Sequence, residues 1–142
     1  MALLLDTNVV SELRKVQAGR ADPGVARWQA TVARTDLFVS AITLMELEMG
    51  VRLKERRDAV QGALLRRWMT EGVLAEFRDR TLPFDAGAAL RCAALHIPDP
   101  RPWRDATLAA TALVHDMTLV TRNLRDFRGT GVALLNPWEG EG

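Results

Sequence analysis

Residues 2–13 read ALLLDTNVVSEL, and the change of character at Asp6 decides how the rest of the chain is read. The apolar run from Ala2 to Leu5 is short and uninterrupted, as expected of a buried strand, and the Asp-Thr-Asn behind it are residue types that favour helix starts. A strand over 2–5 passing into a helix over 7–14 follows, with Asp6 at the junction. The same signals recur downstream. Asp22-Pro23 is a capping side chain followed by proline in a first turn, and Val25, Trp28 and Val32 follow at helical spacing, which predicts a helix over 23–34. A strand is expected over 37–39, then a helix over 43–49 with Leu44, Leu47 and Val51 on one face and an end frayed at Gly50. A long amphipathic helix is expected over 55–76, burying Val60, Leu64, Leu65 and Trp68 and turning its arginines mostly to water. Past an extended piece at 81–84, Asp85 caps a helix reaching about His96, and three prolines break the segment 97–103. Residues 106–115 are apolar nearly all round, as expected of a helix packed on a sheet with little exposed surface. Strands over 117–121 and 132–135, joined by a polar connection over 122–128, complete the chain. This alternation is the pattern of a parallel sheet with helices on both faces, in which ligands bind outside the carboxyl ends of the strands. Asp6 and Thr121 fall at such ends.

With 142 residues and 48% hydrophobic content, the chain has the size of one compact domain, expected over 1–138, with a flexible Glu-Gly-Glu-Gly tail over 139–142. Its formal charge of +1 is too small for bulk attraction to a polyanion, so any nucleic-acid contact must come from local arginines or a bound cation. The single cysteine, Cys92, excludes an internal disulfide and reads as a small buried apolar residue in a reducing compartment. Neither a basic leader nor a membrane-length apolar stretch is present, so the expectation is a cytoplasmic protein that does not contact the membrane.

Three acidic residues stand where one element gives way to the next: Asp6, Glu46 and Asp105. Each has a purely structural reading. Asp6 suits a helix cap, Thr43-Leu44-Met45-Glu46 matches a capping box in which the glutamate reaches back to an amide, and Asp105 suits the positive end of a helix dipole. Capping does not explain why all three belong to elements that an α/β sheet brings to one edge. Two carboxylates about 4 Å apart repel by about 4 kcal/mol at an effective dielectric near 20, so a site holding three either raises their pKa values or recruits a cation. Without a cysteine or histidine cluster, all-oxygen ligation points to Mg2+, with Mn2+ as its substitute, rather than zinc.

Together, LLLDTNVVSEL, VSAITLMELEMGV, DATLAATA and LVTRNLRDFRGTGVALLNPW resemble the successive motifs of the VapC-type PIN domain, over nearly the whole chain. The resemblance implies a three-layer α/β/α sandwich with a mainly parallel central sheet. It also implies a metal-dependent endoribonuclease that is the toxin of a toxin–antitoxin pair. Carried over by position, Asp6, Glu46 and Asp105 match the family's acidic core as metal ligands, with Asn123 at the fourth catalytic position. Many PIN domains have aspartate where Asn123 stands, so either Asn123 through its carbonyl oxygen or the nearby Asp126 completes the site. The implied partners are an RNA substrate, a second copy of the chain in a homodimer, and a cognate antitoxin within a larger assembly.

Arg122, Arg125 and Arg128 near the expected site edge read equally as phosphate contacts or as an ordinary solvated connection, whereas Arg52, Lys54, Arg56 and Arg57 read as a solvated helix surface. Trp28 and Trp68 read as core packing on amphipathic helices. Two other functions use the same carboxylates: a nuclease of RNA maturation, and a noncatalytic magnesium-binding α/β module. A phosphoryl receiver would carry an acidic pair after its first strand and a lysine after a late one, and the chain has neither.

Overall fold

The computed structural model describes residues 1–139. Five strands, β1 (Leu3–Leu5), β2 (Leu37–Ser40), β3 (Thr81–Leu82), β4 (Thr118–Val120) and β5 (Leu134–Leu135), form one sheet in the order β3-β2-β1-β4-β5. Every neighbouring pair is parallel; Leu3 lies opposite Leu37 on one side and Thr118 on the other. Six α-helices flank the sheet: α1 (Thr7–Gln17), α2 (Pro23–Thr31), α3 (Ala41–Arg57), α4 (Ala59–Arg67), α5 (Ala86–Leu95) and α6 (Trp103–Val114). The expected α/β/α sandwich is present, and its sheet is parallel throughout.

Side-chain alternation along β1 divides the core in two. Leu3 and Leu5 point into a cluster with Val9 and Val10 of α1, Leu37 and Val39 of β2, Leu47 and Val51 of α3, and Met69, Val73 and Phe77. Leu4 points the other way, against Leu108, Ala109 and Ala112 of α6, Leu119 of β4, and Phe127. Leu5 has no exposed surface, so truncating it to alanine costs about 2–5 kcal/mol. Every residue of α6 from Ala106 to Ala112 is buried, because one side lies on the sheet and α5 covers another, placing Cys92 against Ala106 and Ala110. Burial raises the Cys92 thiol pKa, which keeps it an inert packing residue. Trp28 and Trp68 pack half-buried against the first cluster.

Several boundaries differ from expectation for identifiable reasons. The helix expected at Thr43 begins at Ala41, because Ser40 rather than Thr43 is its cap: Ser40 Oγ accepts from the Thr43 amide at 3.0 Å. It does not fray at Gly50 but runs on to Arg57. The long helix expected over 55–76 is broken at Asp58, whose extended backbone (φ −151°, ψ 101°) ends α3 and whose carboxylate accepts from the Gln61 amide to start α4. A wider π-helical turn, Trp68–Leu74, follows α4. Arg66 is half-buried: it joins Glu48 at 2.7 Å and Glu55 at 3.0 Å, closing the α3–α4 hairpin. The helix expected over 23–34 stops at Thr31, and the connection over 122–128 contains a 3-10 turn, Leu124–Phe127, that buries Phe127. Glu139 ends another 3-10 turn, Pro137–Glu139; the rest of the expected tail, 140–142, lies outside the described residues. Among the described residues, no helix is long and apolar enough to cross a membrane.

Candidate active site

Parallel strands carry their carboxyl ends to one edge, and there the sheet gathers the acidic side chains. Asp6 leaves β1 with its amide donating to the Val120 carbonyl at 2.9 Å, which ties the ends of β1 and β4 together. Its Oδ1 accepts from the Thr7 amide at 2.6 Å, capping α1, and its Oδ2 accepts from the Thr121 hydroxyl at 2.8 Å. Thr121 Oγ1 in turn accepts from the Asn123 amide at 3.0 Å, so the turn after β4 fixes the hydroxyl that orients Asp6. Asp6 therefore caps the helix and also faces the site.

The capping box read at Thr43 does not form. With Ser40 as cap, Glu46 sits in the second turn of α3 and its carboxylate reaches across to α1 and α6. Thr7 Oγ1 donates to Glu46 Oε1 at 3.0 Å, and Arg104 Nη1 lies 3.3 Å from Glu46 Oε2. Thr7 Oγ1 also lies 3.2 Å from Thr43 Oγ1, which is 3.3 Å from Ser40 Oγ, so a short hydroxyl relay underlies the carboxylates. Asp105 stands in the first turn of α6, half-buried.

The electrostatics register the convergence. The pKa of Asp6 is raised above the usual carboxylate range, chiefly by burial and further by the charges of Glu46 and Asp126, against the lowering effect of the Thr121 and Thr7 hydrogen bonds. That of Asp105 is raised by burial and then by Asp126, Asp6 and Glu46, with Arg104 opposing. Asp126 thus belongs to the group, although its own side chain is exposed. Asn123 is also exposed, and its contact here is the backbone one to Thr121. Such a set relieves its repulsion by holding protons or a hard divalent cation, and its donors are all oxygens, as magnesium and manganese prefer. The fit is one of donor chemistry and charge, with the ring of donors open: among the described residues, no three acidic, histidine or cysteine side chains close on one point as metal ligands do.

Sequence reasoning passed over Thr7, Thr43 and Arg104, since a hydroxyl near a helix start and an arginine beside an aspartate are common surface features. Asn8 was also passed over; its Oδ1 is buried without a hydrogen-bond partner among the described residues, in the turn that follows Asp6. Such unsatisfied groups are rare in folded proteins and call for a reason. The arginines singled out near this edge, Arg122, Arg125 and Arg128, are all exposed, and Arg122 stacks over the Trp138 ring at 5.3 Å.

The chain is similar to known proteins over most of its length. The PIN domain family model matches residues 3–132. The chain is 35% identical to VapC ribonuclease Y4jK of Sinorhizobium fredii, over 96% of this chain and 98% of that protein. It is 33% identical to toxin FitB of Neisseria gonorrhoeae, over 96% and 98%. The structure of FitAB bound to an IR36 DNA fragment superposes with a TM-score of 0.83 at 32% identity, covering 99% of this chain and 98% of that one. By likeness that extends over nearly its whole length, the chain belongs to the PIN domain family, among the VapC/FitB-type toxins.

Proposed function

We propose that the chain is a Mg2+-dependent endoribonuclease, with Mn2+ as substitute, and the toxin of a toxin–antitoxin pair. It hydrolyses RNA phosphodiester bonds and is inhibited by a cognate antitoxin. The observation that carries this reading is the placement of Asp6, Glu46 and Asp105 at the carboxyl edge of the sheet, where Thr7 links Asp6 to Glu46 through its amide and its hydroxyl. Carboxylates gathered at one edge in this way are costly to maintain and add little to packing, whereas they suit a cation that binds phosphate. When bound, such a cation lowers the pKa of water and stabilises negative charge on the phosphoryl oxygens.

Asp6, Glu46 and Asp105 are the ligands in this reading. Thr121 holds one oxygen of Asp6 and the Thr7 amide the other, so that carboxylate is presented in a fixed orientation. The Thr7 hydroxyl does the same for Glu46, leaving Glu46 suited to accept a hydrogen bond from the attacking water. Asp126, whose charge acts on both Asp6 and Asp105, is the better fourth acid; Asn123 serves by orienting Thr121 through its backbone amide. The partners in this reading are a second copy of the chain in a homodimer and a cognate antitoxin in a larger assembly; the likeness to FitAB, whose structure is bound to a DNA fragment, supports the second. The working compartment is the cytoplasm.

The test is to induce the wild type and Asp105→Asn in parallel and sequence cellular RNA ends. New 5′ ends at a common sequence should accumulate with the wild type alone. Identical end profiles for both would refute the assignment.

A further inference from the structure

Arg104 brings a positive charge into an otherwise acidic edge. Its Nη1 is 3.3 Å from Glu46 Oε2 while the other oxygen of Glu46 takes the Thr7 hydroxyl proton, so both oxygens of a candidate ligand are engaged. Arg104 also adjoins Asp105 in the first turn of α6. The pair is asymmetric: the arginine side chain is 55% exposed and that of Glu46 only 21%. The guanidinium carbon is 5.9 Å from the ring centre of Trp103, which is itself half-exposed, so the group lies at the rim where a ligand would arrive. Ion pairs this open contribute little to folding, and α6 is already anchored by its buried run from Ala106 to Ala112.

We propose that Arg104 is a positioning residue with two alternate partners: it holds Glu46 until a divalent cation takes that carboxylate, and the released guanidinium then binds a phosphate of the RNA lying across the site. The inference rests on the nuclease reading above and adds to it a competition and a substrate contact. A doubly charged hard cation outcompetes a singly charged guanidinium for a carboxylate oxygen. The planar fork that is released matches phosphate, which accepts two parallel N–H bonds from it. The two partners impose effects of opposite sign when the charge is removed: cation binding tightens because a competitor is lost, and RNA binding weakens because a phosphate contact is lost. An ion pair that merely braced α6 against α3 would leave RNA binding and its salt dependence unchanged when removed.

The test uses the full chain as wild type, Arg104→Gln and Arg104→Lys, titrated with Mn2+ by calorimetry and, at saturating Mn2+, with a 2′-O-methyl RNA oligonucleotide over a range of salt. For Arg104→Gln the Mn2+ dissociation constant should fall about threefold to tenfold. The same variant should bind the oligonucleotide about tenfold more weakly, with a log–log salt slope shallower by about 0.7. Arg104→Lys, which keeps the charge, should stay within about twofold of the wild type for Mn2+. Mn2+ affinity that is unchanged or weaker in Arg104→Gln overturns the competition, and an unchanged salt slope overturns the phosphate contact; either result removes the two-partner role. A wild type that binds no Mn2+ instead overturns the metal reading of the site, and this inference with it.

Discussion

Glu46 and Glu48 are two residues apart on α3 and live in opposite electrostatic worlds. Glu48 turns outward to Arg66 at 2.7 Å and Arg52 at 2.6 Å, and the Arg66 hydrogen bonds hold its pKa below the usual range. Glu46 turns inward toward Asp6 and Asp105, whose pKa values are raised chiefly by burial and further by the charges of Glu46 and Asp126. The hairpin of α3 and α4 alternates signs, as charge does when its only task is to hold two helices together. The sheet edge concentrates one sign at a cost to the fold, as expected of groups kept for a ligand. One helix thus separates bracing from chemistry by the angle between two side chains.

The contrast is broken most directly by activity. Asp105→Asn, which leaves shape nearly unchanged, should lower RNA cleavage at least about a hundredfold in an assay of purified protein with Mg2+. Glu48→Gln, an equal loss of charge on the other side of the same helix, should leave the rate within about twofold. If both substitutions cost the same, the division between a bracing side and a reacting side is wrong.

A smaller effect sharpens the hairpin half of the comparison. Gly62 of α4 is pressed so closely against α3 that a Cβ there would fall 2.5 Å from Glu55 Cα and 2.9 Å from its amide nitrogen. Alanine ordinarily gains about 1 kcal/mol over glycine inside a helix. Here the obstacle is backbone, which cannot swing away, so the clash prevails and Gly62→Ala should destabilise by about 1–3 kcal/mol in urea denaturation. Cleavage by the folded fraction should be unaffected. A stabilised Gly62→Ala protein would mean that the two helices stand further apart.

The architecture was readable because its signals are local. The run before Asp6, the Asp22-Pro23 start and the alanine-rich stretch after Asp105 each name their element, and alternation names the parallel sheet. Where two local signals competed, the reading failed: Ser40 and Thr43 are both good caps three residues apart, and only the end of β2 decides for Ser40. That choice rotates Glu46 out of a capping role and into the cluster. The break at Asp58 was hidden because charged residues continue on both sides of it, and the tight turn there is permitted by the close approach of Gly62 to Glu55. The hydroxyl relay and Arg104 were invisible for a different reason. Thr7 lies 39 residues from Glu46 in the chain, and no pattern within a segment encodes a contact between segments.

The least effect expected, and the most diagnostic of charge alone, is in the pH dependence of melting. The pKa of Asp105 is raised in the folded state, so the native protein holds that proton more tightly than the unfolded chain. Its contribution to stability is present below the ordinary carboxylate pKa and is lost as pH rises through the raised one. Asp105→Asn, which cannot ionise, should therefore melt roughly 1–3 °C above the wild type at neutral pH and low salt. Glu48 has the reverse linkage: its pKa is lowered, its contribution is present above the ordinary value and is lost as pH falls through the lowered one. Glu48→Gln should melt slightly below the wild type at neutral pH. Both differences should shrink toward zero in acid, from opposite sides, because protonation makes each wild-type carboxyl resemble its amide. Curves that approach from the same side would show that Asp105 is held by favourable partners rather than penalised by burial and like charges.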